Sequence, residues 1–303
     1  MENSIAISTE NLVKCYGRVE ALHGVNLEVR TGEIFGFLGP NGAGKTTTIR
    51  CLLDLIRPNK GTVRVFGMEP KKFPREIRSR AGYLPGELHI EDNATVKSTL
   101  HYLNSLRGNK ADWSYVNQLA GKLNLELNIQ IKNLSKGNKQ KVGIIQALMH
   151  HPDLLLLDEP TFGLDPLIQH EVLKLVAEAR AGGATVFFSS HILSEVQEIS
   201  DRVGIIRNGR VVEVAETEKL INRTFHNVRI HFKYPVDAQI LDNIPGVGIL
   251  TQEDNQNVRL QVEGEMDALI KALASYVVLD FETEHPSLEE IFLAYYKEDG
   301  ITI

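Results

Sequence analysis

The sequence predicts an α/β fold, a mainly parallel sheet with helices on both faces, followed by a small α+β unit. Three observations carry this. Short apolar runs alternate with helical patterns through most of the chain. The run Ile34-Phe35-Gly36-Phe37-Leu38 opens into Gly39-Pro40-Asn41-Gly42-Ala43-Gly44-Lys45-Thr46-Thr47, which fits G-x-x-x-x-G-K-[ST]. Beyond about residue 226 the pattern restarts as strand-helix-strand-strand-helix-strand, the split βαβ order.

The glycine-rich loop follows a buried strand and precedes a helix that starts at Thr47-Thr48-Ile49. Glycines let the backbone wrap an anion, with several N–H groups pointing inward at a helix N-terminus. Lys45 is placed to reach terminal phosphates and the Thr46 hydroxyl to ligate Mg²⁺. The loop predicts nucleotide binding and leaves open what the nucleotide is used for.

The 303 residues suit one large and one small domain. A net charge of -6 gives no global basic signal, so no nucleic acid partner is expected. Cys15 and Cys51 have no metal or disulfide spacing, which favours a reducing compartment. The N-terminus lacks the order of a signal peptide. No apolar run approaches the roughly 20 residues that span a bilayer, so a membrane role needs separate membrane-embedded partners.

Taken in order, residues 5–30 read as two strands around a turn at Tyr16-Gly17. Tyr16 either stacks on an adenine or is a half-buried turn aromatic. After the loop helix, Arg57-Pro58-Asn59-Lys60-Gly61 is a break and residues 62–67 a strand. Residues 78–87 end as a strand running into a Pro85-Gly86 loop. Residues 95–150 turn mostly helical, with Leu100, Leu103 and Leu106 at near-helical spacing.

Leu154-Leu155-Leu156-Leu157-Asp158-Glu159 reads as a central parallel strand with two acids at its C-terminal edge, where ligands of open α/β sheets gather. Asp158 is expected to hold Mg²⁺, directly or through water, and Glu159 to act as base or polariser for a water. A helix over residues 166–180 follows, then the strand Ala184-Thr185-Val186-Phe187-Phe188. His191, just past that strand, is placed to touch a γ-phosphate, although a lone histidine is usually structural. Residues 203–213 read as a hairpin on Asn208-Gly209.

In the C-terminal part the expected strands are residues 228–232, 247–250, 258–262 and 277–281, with helices at 237–243 and 265–274. A last amphipathic helix covers residues 287–296, with Ser287 and Glu290 as a capping box. No nucleotide, metal or catalytic constellation stands out in this part, so packing or dimerisation is the favoured reading.

The phosphate loop, Leu134-Ser135-Lys136-Gly137-Asn138, Asp158-Glu159, Leu164-Asp165 and His191 follow one another in a fixed order. Over roughly residues 5–220 the chain resembles the ATP-binding subunit of an ABC (ATP-binding cassette) transporter. It is similar to the exporter-type branch, whose subunits carry a small C-terminal extension. The resemblance implies a P-loop ATPase cassette at residues 1–222, with its helical subdomain at about 88–150. It also implies a C-terminal accessory domain at 223–303, for which the split βαβ order read above predicts a ferredoxin-like α+β fold.

The resemblance further implies a head-to-tail sandwich of two cassettes, homodimer or heterodimer, closing over two ATP molecules with Mg²⁺. Tyr16 then stacks on adenine, and residues Gly39 to Thr47 hold phosphates and metal. Asp158 supports the metal, Glu159 handles the water and His191 senses the γ-phosphate. Ser135 and Gly137 touch the γ-phosphate bound by the other cassette. The partners implied are transmembrane permease subunits, which hold the protein at the cytoplasmic face of the membrane. The function implied is ATP hydrolysis coupled to transport, with export favoured. The alternatives are a soluble ATPase of the same type and a nucleotide-gated regulator not engaged in transport.

Three motifs depart from the family pattern. Gly86 stands where a metal-contacting glutamine is usual, and the adjacent Glu87 either substitutes or that contact is missing. In the signature Lys136 and Asn138 replace the first glycine and the glutamine, and Lys136 either adds positive charge near the γ-phosphate or points to solvent. Phe162 stands where a serine is common.

Overall fold

The computed structural model describes residues 4–90, 93–223, 226–237, 239–252, 254–262 and 265–284. The chain divides into two compact units, Met1–Ala215 and Glu216–Ile303.

The first unit opens with a hairpin of β1 (Ile5–Tyr16) and β2 (Val19–Arg30), paired down to Tyr16 and Val19. Next come β3 (Ile34–Leu38), α1 (Lys45–Leu52) and β4 (Lys60–Val65). β4 joins the free edge of β1, giving an antiparallel sheet ordered β2-β1-β4. α2 (Pro74–Arg80) leads into β5 (Ala81–Leu84). The helical stretch contains α3 (Val96–Leu106), α4 (Trp113–Lys122) and α5 (Lys136–Leu148). Thr95, Asp112 and Ser135 cap these helices by accepting backbone N–H groups through their side chains.

The unit then alternates through β6 (Leu154–Asp158), α6 (Pro166–Ala181), β7 (Thr185–Ser190) and α7 (Leu193–Ile199). It ends on β8 (Arg202–Arg207) and β9 (Arg210–Glu216). The six-stranded sheet runs β5-β6-β7-β3-β8-β9, with the neighbours from β5 to β8 parallel. β3, β6 and β7 are buried along their whole length, which is why they read as apolar runs without alternation. Phe187 stacks on Phe35 at 5.7 Å between ring centroids and tilts against Phe37 at 5.2 Å. These rings lock the central strand to its neighbour.

The second unit contains α8 (Thr217–Arg223), β10 (His226–Phe232), α9 (Gln239–Asp242), β11 (Val247–Gln252), β12 (Asn257–Val262), α10 (Asp267–Leu273) and β13 (Val278–Glu284). Its sheet runs β11-β12-β10-β13 with antiparallel pairs throughout, the strand order of a ferredoxin-like fold. Alternation on β10 and β12 sends Val228, Ile230, Phe232, Val258, Leu260 and Val262 into a core shared with Leu241, Leu269 and Leu273. The helix expected over residues 287–296 lies outside the described residues.

α2 and α7 were not anticipated. Both have seven residues, and α7 buries only Glu195 and Val196. A carboxylate inside such a short element breaks the apolar period that marks a helix.

Candidate functional site

Strand register builds the site. In the parallel ladder Leu38 stands beside Ser190, Asp158 beside Ser189, and Leu84 beside Leu157. Four strand ends therefore stop level at one edge of the sheet. The phosphate loop leaves β3 there, the two acids leave β6, His191 leaves β7 and Gly86 follows β5. The Gly39 N–H donates to the Ser190 carbonyl at 3.3 Å, and the Glu159 N–H to the Ser189 carbonyl at 3.2 Å.

α1 starts at Gly44 with φ 111° and no side-chain cap. A Cβ there would lie 2.6 Å from Leu22 Cδ2 and 2.9 Å from the Ala21 carbonyl oxygen, so both conformation and space require glycine. With no cap, the first-turn N–H groups are left for a ligand. Ala21, Pro40, Asn41, Gly42, Gly44, Lys45, Thr46, Thr47 and Glu159 line a cavity of about 160 Å³. Lys45 is buried, and its ammonium donates to the carbonyls of Gly39 at 2.5 Å and Pro40 at 3.2 Å. It also lies 3.1 Å from Glu159 Oε1.

Asp158 is fully buried. Its Oδ1 accepts from the Ser189 hydroxyl at 2.6 Å, and its Oδ2 is buried with no hydrogen-bond partner. A buried, half-satisfied carboxylate suits a hard cation that takes few protein oxygens. Glu159 adopts φ 53°, a left-handed conformation uncommon for a residue with a side chain. Its Oε2 meets His191 Nδ1 at 2.5 Å, with the histidine 36% and the glutamate 17% exposed. An ionised carboxylate only accepts, so the ring donates from Nδ1.

The signature residues lie at the start of α5. Ser135 is its cap, accepting the Asn138 N–H at 3.2 Å. A Cβ on Gly137 would come within 2.7 Å of the Gly163 carbonyl oxygen, so the helix start presses directly on the loop after β6. The Lys136 ammonium sits 4.4 Å over the centroid of the Phe162 ring. Two of the three departures therefore touch each other. Asp165 caps α6 by accepting the Ile168 N–H at 3.1 Å, with Pro166 in the first turn.

The phosphate loop, Asp158, Glu159 and His191 are thus brought together. Ser135 and Gly137 do not line the phosphate cavity, and neither does Tyr16. Tyr16 is 45% exposed at the end of β1. Gly86 faces the unpartnered Asp158 oxygen, since a Cβ there would lie 3.2 Å from Oδ2. Glu87, one residue on, is exposed.

Sequence reasoning missed three polar side chains. Gln140 donates to the carbonyls of Glu159 and Pro160. Ser189 orients Asp158, and Glu195 is buried beneath Ser190. Ser189 was visible as a hydroxyl beside His191; Gln140 and Glu195 lie inside helices and carry no local signal.

A buried lysine at an uncapped helix start, facing a carboxylate that is itself held by an imidazole, is the arrangement of a P-loop nucleotide hydrolase. The chain belongs to the ABC transporter ATP-binding protein family. The ABC transporter family description matches residues 22–162. A second, ATP-binding protein DrrA1-3-like, C-terminal domain, matches residues 219–296.

The chain is 40% identical to the bacitracin transport ATP-binding protein BcrA of Bacillus licheniformis over 223 residues, 73% of this chain and 72% of the relative. It is 32% identical to the daunorubicin/doxorubicin resistance ATP-binding protein DrrA of Streptomyces peucetius, over 95% of this chain and 92% of that one. A solved ATP-binding subunit of an ABC transporter superposes with a TM-score of 0.65 at 29% identity, covering 72% of this chain and 92% of its own. A dimeric cassette in a post-hydrolysis state, bound to ADP and Pi, shares the fold at TM-score 0.64 and 23% identity, over 70% of this chain and 98% of its own. The protein is an ATP-binding, ATP-hydrolysing subunit of an ABC transporter, of exporter type with a C-terminal extension. No described helix is long and apolar enough to cross a membrane.

Proposed function

We propose that two cassettes close head to tail over ATP, and that this closure and its reversal drive export through separate transmembrane subunits. The observation that carries the site assignment is Glu159, which engages both Lys45 and His191 at the rim of the phosphate cavity. In this reading residues 39–47 wrap the phosphates and Lys45 leaves Glu159 for the β- and γ-phosphates. Thr46 and Asp158 hold Mg²⁺, for which the free Asp158 oxygen is the supporting feature. When bound, the ion neutralises phosphate charge. Glu159 then orients and polarises the attacking water, and His191 contacts the γ-phosphate. Tyr16, exposed at the end of β1, stacks on adenine.

Ser135 and Gly137 complete the γ-phosphate site of the other copy. A phosphate shared by two surfaces favours the closed state, and hydrolysis removes the bridge. Residues 1–222 form the cassette and residues 223–303 an accessory domain. The permease subunits hold the protein at the cytoplasmic membrane face. Relatives named for bacitracin transport and for daunorubicin/doxorubicin resistance support export.

Glu159→Gln tests the assignment. It keeps size and loses the charge, so turnover should fall by about 10² or more while ATP remains bound. Near-normal ATPase in this variant would sink it. Export is tested with the permease in inverted vesicles, where ATP-dependent accumulation is expected and ATP-dependent depletion would reverse the direction.

A further inference from the structure

Glu195 is a buried carboxyl that the reading above does not use. It lies in the first turn of α7, just beyond His191, and is 5% exposed. The Ser190 hydroxyl donates to its Oε2 at 2.7 Å. That same hydroxyl accepts the Ile192 N–H at 2.9 Å, so it holds both sides of His191 in one turn. Oε1 is buried with no hydrogen-bond partner. Among the neighbours whose charge reaches it are Glu159 and His191.

We propose that Glu195 is a positioning residue for hydrolysis: it anchors the Ser190 hydroxyl, which in turn takes the Ile192 N–H, and so fixes the turn that presents His191 to Glu159. The inference rests on the assignment of those two residues. The side-by-side pairing of β6 and β7 ends at Asp158 and Ser189. Glu159 is still tied to β7 through its N–H on the Ser189 carbonyl, whereas His191 lies two residues beyond the pairing, in a turn that the Ser190 hydroxyl closes. A buried carboxyl anchored on the Ser190 hydroxyl holds that turn in place. It does so from beneath, where it blocks neither group. Burial, first, and the Glu159 charge, among smaller causes, push its pKa up. Glutamine keeps the shape of the side chain and an oxygen that accepts from the Ser190 hydroxyl.

The test uses the full chain, with steady-state ATPase at varied ATP and equilibrium binding of a fluorescent ATP analogue. Glu195→Ala and Glu195→Leu should lower kcat about 10- to 100-fold with KM within about threefold, the pattern of lost alignment. Glu195→Gln should restore most of that kcat. Ser190→Ala keeps Glu195 but removes the link, and should reproduce the alanine loss. Wild-type kcat in Glu195→Ala or Ser190→Ala would overturn the inference. So would a Glu195→Gln variant as slow as Glu195→Ala, or loss of nucleotide binding in Glu195→Gln, which would make the residue part of the scaffold. If Glu195→Ala does not fold, the glutamine and Ser190→Ala variants decide the matter. Glu159→Gln, run alongside, separates the two claims: activity there refutes the site assignment, whereas an inactive Glu159→Gln beside a fully active Glu195→Ala refutes only the role of Glu195.

Discussion

The Gln140 amide donates to the Glu159 carbonyl at 3.0 Å and to the Pro160 carbonyl at 3.2 Å. Gln140 belongs to α5, the helix whose start carries Ser135 and Gly137. Gly137 presses on the Gly163 carbonyl at the same end. The first turns of α5 are therefore tied at two points to the loop that runs from Glu159 to Gly163. A shift of α5, as when its N-terminus meets a phosphate, is passed to a residue whose own backbone sits at φ 53°. In the proposed head-to-tail dimer, contact of α5 with the partner's nucleotide would thereby reach Glu159.

Gln140→Leu tests that link. It leaves two carbonyls without their donor at a residue only 7% exposed. We expect kcat to fall about tenfold or more while ATP affinity holds, because alignment is lost and the phosphate loop is intact. Gln140→Glu should be worse, since a carboxylate would face the two carbonyl oxygens. Steady-state ATPase with analogue binding checks both, and unchanged kcat in Gln140→Leu would refute the coupling.

Ser189→Ala removes the donor from Asp158 Oδ1, leaving a fully buried carboxylate with neither oxygen partnered. Partners of this kind orient a metal ligand, and their loss weakens metal affinity about 10- to 100-fold. The Mg²⁺ concentration for half-maximal ATPase should rise accordingly, with kcat recovering at high Mg²⁺. Magnesium titration of the variant checks this, and chelation of Mg²⁺ should stop turnover in the parent chain.

The parts of the site legible in the sequence are those where chemistry and local geometry coincide. Lys45 follows a glycine turn, and Asp158 and Glu159 end an apolar run, so each announces its own place. The split βαβ order of the second unit was equally readable, because β10 and β12 alternate strictly. Gln140, Ser189 and Glu195 were not readable. Each acts through a partner at least five residues away, fixed by strand register or by the seating of a helix. The meeting of Lys136 with Phe162 was hidden for the same reason. Both were visible as departures, while their contact exists only once α5 seats on the loop after β6.

That contact makes a measurable prediction. An ammonium over a ring at partly exposed positions is worth about 0.5–1 kcal/mol. Lys136→Met and Phe162→Ala should each destabilise the chain slightly, and their double-mutant cycle in urea should show coupling of about that size. The pair also sets where the cation points. Phe162→Ala releases it, so the KM for ATP should shift in Phe162→Ala and far less when Lys136 is already methionine. Additive effects on both stability and KM would mean that the two residues act independently.

His150 gives a pH dependence that is separable from catalysis. Burial, then the nearby Arg107 guanidinium, lowers its pKa to about 4 from the ordinary 6.5. The guanidinium has only donors, so His150 Nε2, 3.1 Å from Arg107 Nη1, must accept and the ring must be neutral. Arg107 also donates to the carbonyls of Arg78 and Ala81, so the end of α3 is pinned to the start of β5 through this cluster. Between the two pKa values the unfolded chain binds a proton that the folded chain refuses. Stability from this residue is therefore complete above the ordinary value and is lost as pH falls toward about 4. The loss is on the order of 2 kcal/mol, reduced from the full shift because the ring keeps partial access to water. His150→Gln keeps an acceptor for Arg107 and cannot ionise. The difference in urea midpoint between parent and variant should change between about pH 7 and about pH 5, in the direction of greater parent loss at the lower pH. Carboxyls with raised pKa values, such as Glu33 and Glu195, shift both chains alike and cancel in that difference. A difference that stays constant with pH would show that His150 does not resist protonation in the folded chain.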